Sequence, residues 1–142
     1  MKTSWTKPNQ IERKWYVIDA KDQILGRVAT QIAKRLIGKD NVKYVPNLDF
    51  GDYVIVLNSK DVKLTRGKEK KKMYYSHSGF PGGFKEIRFD KKLAKDPNSI
   101  ITLAVKRMLP KNKLGEGMIN RLYVYESSEH KHEAQKPEEI KL

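Results

Sequence analysis

The segment Tyr74-Tyr75-Ser76-His77-Ser78-Gly79-Phe80-Pro81-Gly82-Gly83-Phe84-Lys85 holds the residue types best suited to chemistry. Three glycines in five positions let a backbone come close to a bulky partner or adopt positive φ. Backbone N–H groups beside cations suit phosphate, and Tyr or Phe faces stack on unpaired bases. The competing reading is an ordinary surface turn with its aromatics packed on the body; the flanking lysines favour nucleic acid. The segment lacks both the Gly-Lys-Ser/Thr ending of a phosphate-binding loop and the dinucleotide spacing after a strand. Leu25-Gly26-Arg27 is likewise too poor in glycine for that role. A second cluster, Lys106, Arg107, Lys111 and Lys113, lies around an expected helix end. Cations there also offset the negative helix C-terminus, but four exceed that need, which favours phosphate.

Enzyme readings are weaker. His77 between two serines suggests a nucleophile–base pair, yet chain neighbours rarely meet in that geometry and no orienting acid is evident. His130 and His132, flanked by Glu129 and Glu133, supply at most part of a metal shell, so a solvated or RNA-contacting pair is expected. Asp49 and Asp52 could form the magnesium-binding carboxylate pair of a nuclease, but Asp52 is more simply a turn residue leading into a strand.

The elements that must position these residues follow from hydrophobic period. Trp15-Tyr16-Val17-Ile18-Asp19 reads as a strand. Leu25, Val28, Ala29, Ile32 and Leu36 form the apolar stripe of a helix, which Gly38 stops. Tyr53-Val54-Ile55-Val56-Leu57 is apolar without alternation, as in a parallel strand buried on both faces. Strand, helix and strand with a long crossover make the class α/β. Residues 60–72 are too polar for a core element, Tyr74-Tyr75 suggests a short strand, and Ser76 to Phe84 reads as a glycine-rich loop. Asp96 before Pro97 starts a second helix that Pro110 ends. Gly115 and Gly117 are expected in or beside a turn, Leu122-Tyr123-Val124-Tyr125 forms a last strand, and the acidic tail from Glu126 is expected on the surface.

Charge is the chain's main abnormality. Its 142 residues carry 30 Lys plus Arg against 17 Asp plus Glu, a net +13. Residues 60–95 hold twelve basic and four acidic side chains, net +8, whereas residues 15–59 hold six and five, net +1. A balanced body with one positive face attracts polyanions, while solubility alone needs a net charge of only about 2–8. A membrane surface would call for a strongly amphipathic basic helix, which the basic block does not spell. The absence of cysteine excludes disulfides, thiol catalysis and thiolate metal sites. No apolar run approaches the ~18 residues of a membrane span, and Met1 to Pro8 shows no apolar leader. Length and the lack of repeats or linkers predict one domain, residues 1–142. It has an extended basic N-terminal segment (1–14) and a polar tail (126–142).

End to end, the chain resembles the bacterial-type large-subunit ribosomal protein thirteen family. The resemblance rests on Trp15-Tyr16-Val17-Ile18-Asp19-Ala20, Leu25-Gly26-Arg27-Val28-Ala29-Thr30, Lys43-Tyr44-Val45-Pro46 and Gly51-Asp52-Tyr53. It continues through His77-Ser78-Gly79, Gly82-Gly83, Val105-Lys106-Arg107-Met108-Leu109-Pro110, Leu114-Gly115 and Glu129-His130-Lys131-His132. It implies a three-layer α/β/α body around a four-stranded parallel sheet. It further implies a structural ribosomal protein that binds large-subunit (23S-type) rRNA, enters assembly early and meets neighbouring large-subunit proteins. Catalysis, cofactor, metal, membrane and small-molecule substrate have no part in it. The expected RNA-binding residues are Lys68, Lys70, Lys71, Lys72, Tyr75, His77, Ser78, Gly79, Gly82, Gly83, Lys85, Arg88, Lys106, Arg107, Lys111 and Lys113.

The chain departs from the family's pattern at three places. Arg66-Gly67 replaces a glycine followed by a polar residue, Arg107 stands where a glycine is common, and Glu116 where a basic residue is common. Glu116 is therefore left out of the expected contacts. The alternatives are a nuclease using Asp49, Asp52 and His77, or a free-standing RNA chaperone. The expected location is cytoplasmic, in the large subunit of a bacterium or an organelle that encodes the protein.

Overall fold

A computed structural model describes residues 5–140. In chain order the elements are β1 (Trp15–Asp19), α1 (Leu25–Ile37), β2 (Tyr53–Leu57), α2 (Lys68–Lys71), β3 (Met73–His77), β4 (Phe84–Arg88) and α3 (Phe89–Lys95). There follow α4 (Pro97–Met108), α5 (Lys113–Ile119), β5 (Leu122–Val124) and β6 (Glu138–Ile140). The main sheet is four-stranded and parallel, in the order β5-β2-β1-β6; β3 and β4 form a separate antiparallel hairpin. No described helix is long and apolar enough to cross a membrane.

The centres of β1 and β2 are buried on both faces, as their unbroken apolar runs predict. On one face, Ile18, Val54 and Val56 pack with Leu25, Val28, Ile32 and Leu36 of α1 and Ile100, Ile101 and Val105 of α4. The other face is aromatic. Trp15 stacks on Tyr53 with centroids 4.3 Å apart, and His132 of the C-terminal segment lies 4.5 Å from Tyr123 and 5.1 Å from Trp15. Helices thus cover one side of the sheet and the C-terminal segment with its 3-10 turn Glu133–Gln135 meets the other, in keeping with the three-layer α/β fold and four-stranded parallel sheet that the resemblance implies.

Local signals set the helix ends. Gly38 closes α1 at φ 80°, and a Cβ there would lie 2.5 Å from the Phe50 carbonyl oxygen, so glycine is needed twice over. The Asp96 carboxylate caps α4 by accepting from the Ser99 N–H at 3.0 Å, with Pro97 in the first turn.

Four expectations are corrected. Residues 60–72 include a buried Val62, a parallel bridge from Ile24 to Lys63 and one turn of helix, α2. The stretch expected as a loop from Ser76 extends the hairpin on both sides of a short turn. Gly115 and Gly117 lie inside α5; a Cβ on Gly115 would collide with the Pro110 carbonyl oxygen, a demand of close packing and not of a turn. The acidic tail stays mostly exposed, yet its end supplies β6, paired from Tyr16–Glu138 to Ile18–Ile140.

One buried ion pair ties these parts together. Arg121 is 7% exposed, and its Nη1 and Nη2 donate to the two Asp49 carboxylate oxygens at 2.6 Å each. Nη2 also reaches the Leu36 carbonyl oxygen at 3.5 Å, and Arg13 approaches Asp49 at 3.4 Å. Gly51 fits beneath, where a Cβ would collide with the Leu36 oxygen. Breaking a buried pair leaves an uncompensated charge. Asp49→Ala should therefore lower the unfolding free energy by about 3–5 kcal/mol in urea titration, and Asp49→Leu combined with Arg121→Met should recover much of it.

Candidate nucleic-acid interface

The hairpin stands off the body. All of β4 and the second half of β3 are exposed. Its register pairs Tyr75 with Glu86 and His77 with Phe84, so Tyr75 and Phe84 share a face and stack with centroids 5.7 Å apart. They are 60% and 58% exposed, and Phe80 at the turn is 74% exposed. Exposed stacked aromatics are the opposite of what the packed-turn reading requires.

The turn is held from within. The Gly79 N–H donates to His77 Nδ1 at 2.9 Å, the Ser78 N–H to the Gly83 carbonyl at 3.2 Å and the Gly83 N–H to the Phe80 carbonyl at 2.9 Å. Nδ1 is thereby occupied within the turn, and Nε2 is the ring nitrogen left for another partner. Gly82 has φ 70° with open space beyond its Cα, whereas a Cβ on Gly83 would strike the Ser78 Oγ. Of the two adjacent glycines, Gly83 is the one the turn's own packing requires.

The expected cations fall into separate groups. Lys70 and Lys71 are exposed on α2. Lys68 and Lys72 line one cleft with Arg107 of α4. Burial pushes the Lys72 ammonium below its usual range, helped by the charges of Arg107 and Lys68. Lys106, next in chain to Arg107, instead lines a depression with Lys111, Asn112 and Glu116. The 100° step of a helix sends the two neighbours to different surfaces. Lys113 is exposed in the first turn of α5, where the helix dipole does not favour a cation.

Arg88 differs from the others because its guanidinium donates to Asp90 through Nε and Nη2. That contact holds the Asp90 carboxyl down at about 2. Sequence reasoning missed Lys92, whose ammonium lies 5.1 Å from the Tyr74 ring centroid, with Lys72 at 5.5 Å. Burial pushes the Tyr74 hydroxyl up while Arg107 pulls it down. Nothing in the periodicity marks Lys92; its place follows from how α3 docks against the hairpin.

The residues of the enzyme readings have structural occupations. Asp49 is held by Arg121, and Asp52 accepts the Lys14 N–H at 2.9 Å. Burial pushes the Asp52 carboxyl above the usual range, with Lys14, Arg35 and Arg121 opposing it. His132 packs on aromatics and donates its backbone N–H to His130 Nδ1 at 3.2 Å, so this pair is a packing feature and not a freely solvated one. Among the described residues, no three His, Asp or Glu side chains group as a metal site requires.

Comparison with known proteins places the chain among ribosomal proteins: the family model described as Ribosomal protein L13 matches residues 13–131. Large ribosomal subunit protein uL13 of Pseudomonas entomophila is 53% identical over 142 residues, all of both chains. Those of Stutzerimonas stutzeri and Azotobacter vinelandii are each 52% identical over the same full length. The chain belongs to the ribosomal protein L13 family, whose members are structural components of the ribosome and not enzymes.

The Arg88–Asp90 contact gives a pH signature. NMR titration should show the Asp90 carboxyl titrating near 2, and Arg88→Gln should return it toward 3.8. Because the folded value lies below the unfolded one, the contact's contribution to stability is present above about pH 4 and is lost as pH falls toward 2.

Proposed function

We propose that this chain is a structural constituent of the large ribosomal subunit in the bacterial cytoplasm. It binds 23S-type rRNA through the hairpin, α2 and the end of α4, supports early subunit assembly and abuts neighbouring large-subunit proteins. It uses no cofactor or small-molecule substrate.

The observation that carries the reading is the gathering of unpaired cations beside the exposed aromatics Tyr75, Phe80 and Phe84. Some cations elsewhere are matched, such as Lys34 with Asp40, Lys60 with Glu126 and Lys63 with Asp22. Among the described residues, no carboxylate lies within ion-pair distance of Lys68, Lys70, Lys71, Lys72, Lys85, Lys106, Arg107, Lys111 or Lys113. Unmatched cations beside exposed aromatics suit phosphate neutralisation together with stacking on splayed bases. The expected contacts at Ser78, Gly79 and Gly82 belong to the same surface, with the turn backbone fitting RNA shape. The nuclease reading has lost its carboxylate pair, since Asp49 and Asp52 are committed within the fold.

In a sucrose gradient at moderate salt, the tagged chain should travel with large subunits; a chain that stays at the top would sink this reading. Replacing Lys70, Lys71 and Lys85 together by Gln should weaken binding to rRNA and flatten the log–log salt dependence by about 2–3. The melting temperature should hold, because none of the three is paired within the described fold.

A further inference from the structure

Between the first turn of α1, α2, the start of β3 and the last turns of α4 lies a cleft of about 320 Å³. We propose that it seats a single unstacked nucleotide of the bound RNA, with the base on an aliphatic floor and the phosphate between Lys68, Lys72 and Arg107. This deepens, and rests on, the RNA-binding reading above.

The floor is Leu64, Leu103, Ala104 and Met108. Met108 is 43% exposed, an adaptable thioether left at the surface in the exposed last turn of α4. The volume is at the lower end of the ~300–1,000 Å³ typical of small-ligand sites. Over this floor stand three cations that raise one another's electrostatic energy, in partly desolvated surroundings. The fold offers them no carboxylate within ion-pair distance among the described residues, so an anion from outside relieves the repulsion.

Gly26 is the second, independent observation. It sits in the first turn of α1 with no positive φ, and a Cβ built on it meets nothing within 4 Å. Neither backbone conformation nor close packing explains a glycine there, and glycine weakens a helix relative to other residues. The space beyond its Cα is the cleft itself.

A nucleotide fits better than an acidic side chain of a neighbouring protein. A carboxylate is satisfied by one or two cations and leaves the aliphatic floor wet, whereas a nucleotide covers the floor and meets the whole cationic rim. The Tyr74 ring, with Lys72 and Lys92 over it, acts as a wall, so the base rests on aliphatic carbon.

The test compares Gly26→Phe, which fills the cleft, with Gly117→Phe in α5, where a Cβ also meets nothing. Both full-length variants are titrated with deproteinised bacterial large-subunit rRNA and crosslinked at short ultraviolet wavelength, with adducts mapped by mass spectrometry. Gly26→Phe should keep the wild-type melting temperature, lose about tenfold in affinity and lose the nucleotide adducts on Tyr74 and Met108. Gly117→Phe should retain both. If Gly26→Phe melts lower, Arg107→Gln with an open cleft carries the same test through loss of those adducts. Unchanged affinity and adducts in the filled variant would overturn the proposal while leaving the RNA-binding reading intact. So would normal RNA affinity with failure to enter large subunits, which would assign the cleft to a protein neighbour. Adenosine or uridine monophosphate should bind only at millimolar levels; micromolar binding would assign the cleft to free nucleotide instead. Failure of the wild-type chain itself to bind rRNA would bring down both readings.

Discussion

A guanidinium withdrawn from water sets the terms for the rest of the body. Arg121 precedes β5, Asp49 lies late in the long loop between α1 and β2, and Leu36 lies in the last turn of α1; the bidentate pair and its contact to Leu36 bind these three points into one joint. Because Gly51 threads beside that joint, β2 enters the sheet at a fixed height, and its register with β1 runs in step from Trp15–Tyr53 to Asp19–Leu57. The Nε of Arg121 is buried without a partner among the described residues, so the pair is imperfectly satisfied and its worth lies in geometry more than in net energy. Within a chain of net +13, Arg121 is the buried cation among the described residues.

Much of the body is legible in the sequence because its signals are local. The apolar stripe of α1, the unbroken run of β2 and the Asp96-Pro97 cap each report one element's own environment. The fourth strand is not legible. Glu138-Glu139-Ile140 has no alternation and is acidic, and it is a strand only because β1 leaves an edge unpaired beside it. The resemblance to a known family supplies the four-stranded sheet that the pattern cannot. Gly115 misleads for a related reason: its type suggests a turn, whereas contact with Pro110 across the α4–α5 corner demands it.

At the interface, charge density and glycine spacing point to the segment where exposed aromatics and unmatched lysines gather, since both signals are sums over neighbouring residues. Partition of the cations is hidden. Lys106 and Arg107 are equivalent on paper and diverge on the helix, and Arg88 is matched by Asp90 two residues later. The cleft combines Gly26, Leu64, Lys72 and Leu103, residues that no sequence window holds together. Arg107, a departure from the family's usual glycine, acquires a setting only once α2 and α4 are side by side.

The position of β6 carries a kinetic consequence. It pairs with β1, so Tyr16 near one end of the chain finds Glu138 near the other. Contacts so distant in sequence close a loop spanning almost the whole polypeptide, which slows folding relative to local structure. During synthesis the first strand must wait with one edge open until the last segment has emerged. The aromatic face of the sheet, which His132 covers, waits with it. Completion of the sheet therefore waits for residues 138–140 to emerge, and the open edge of β1 is the surface that needs protection until then.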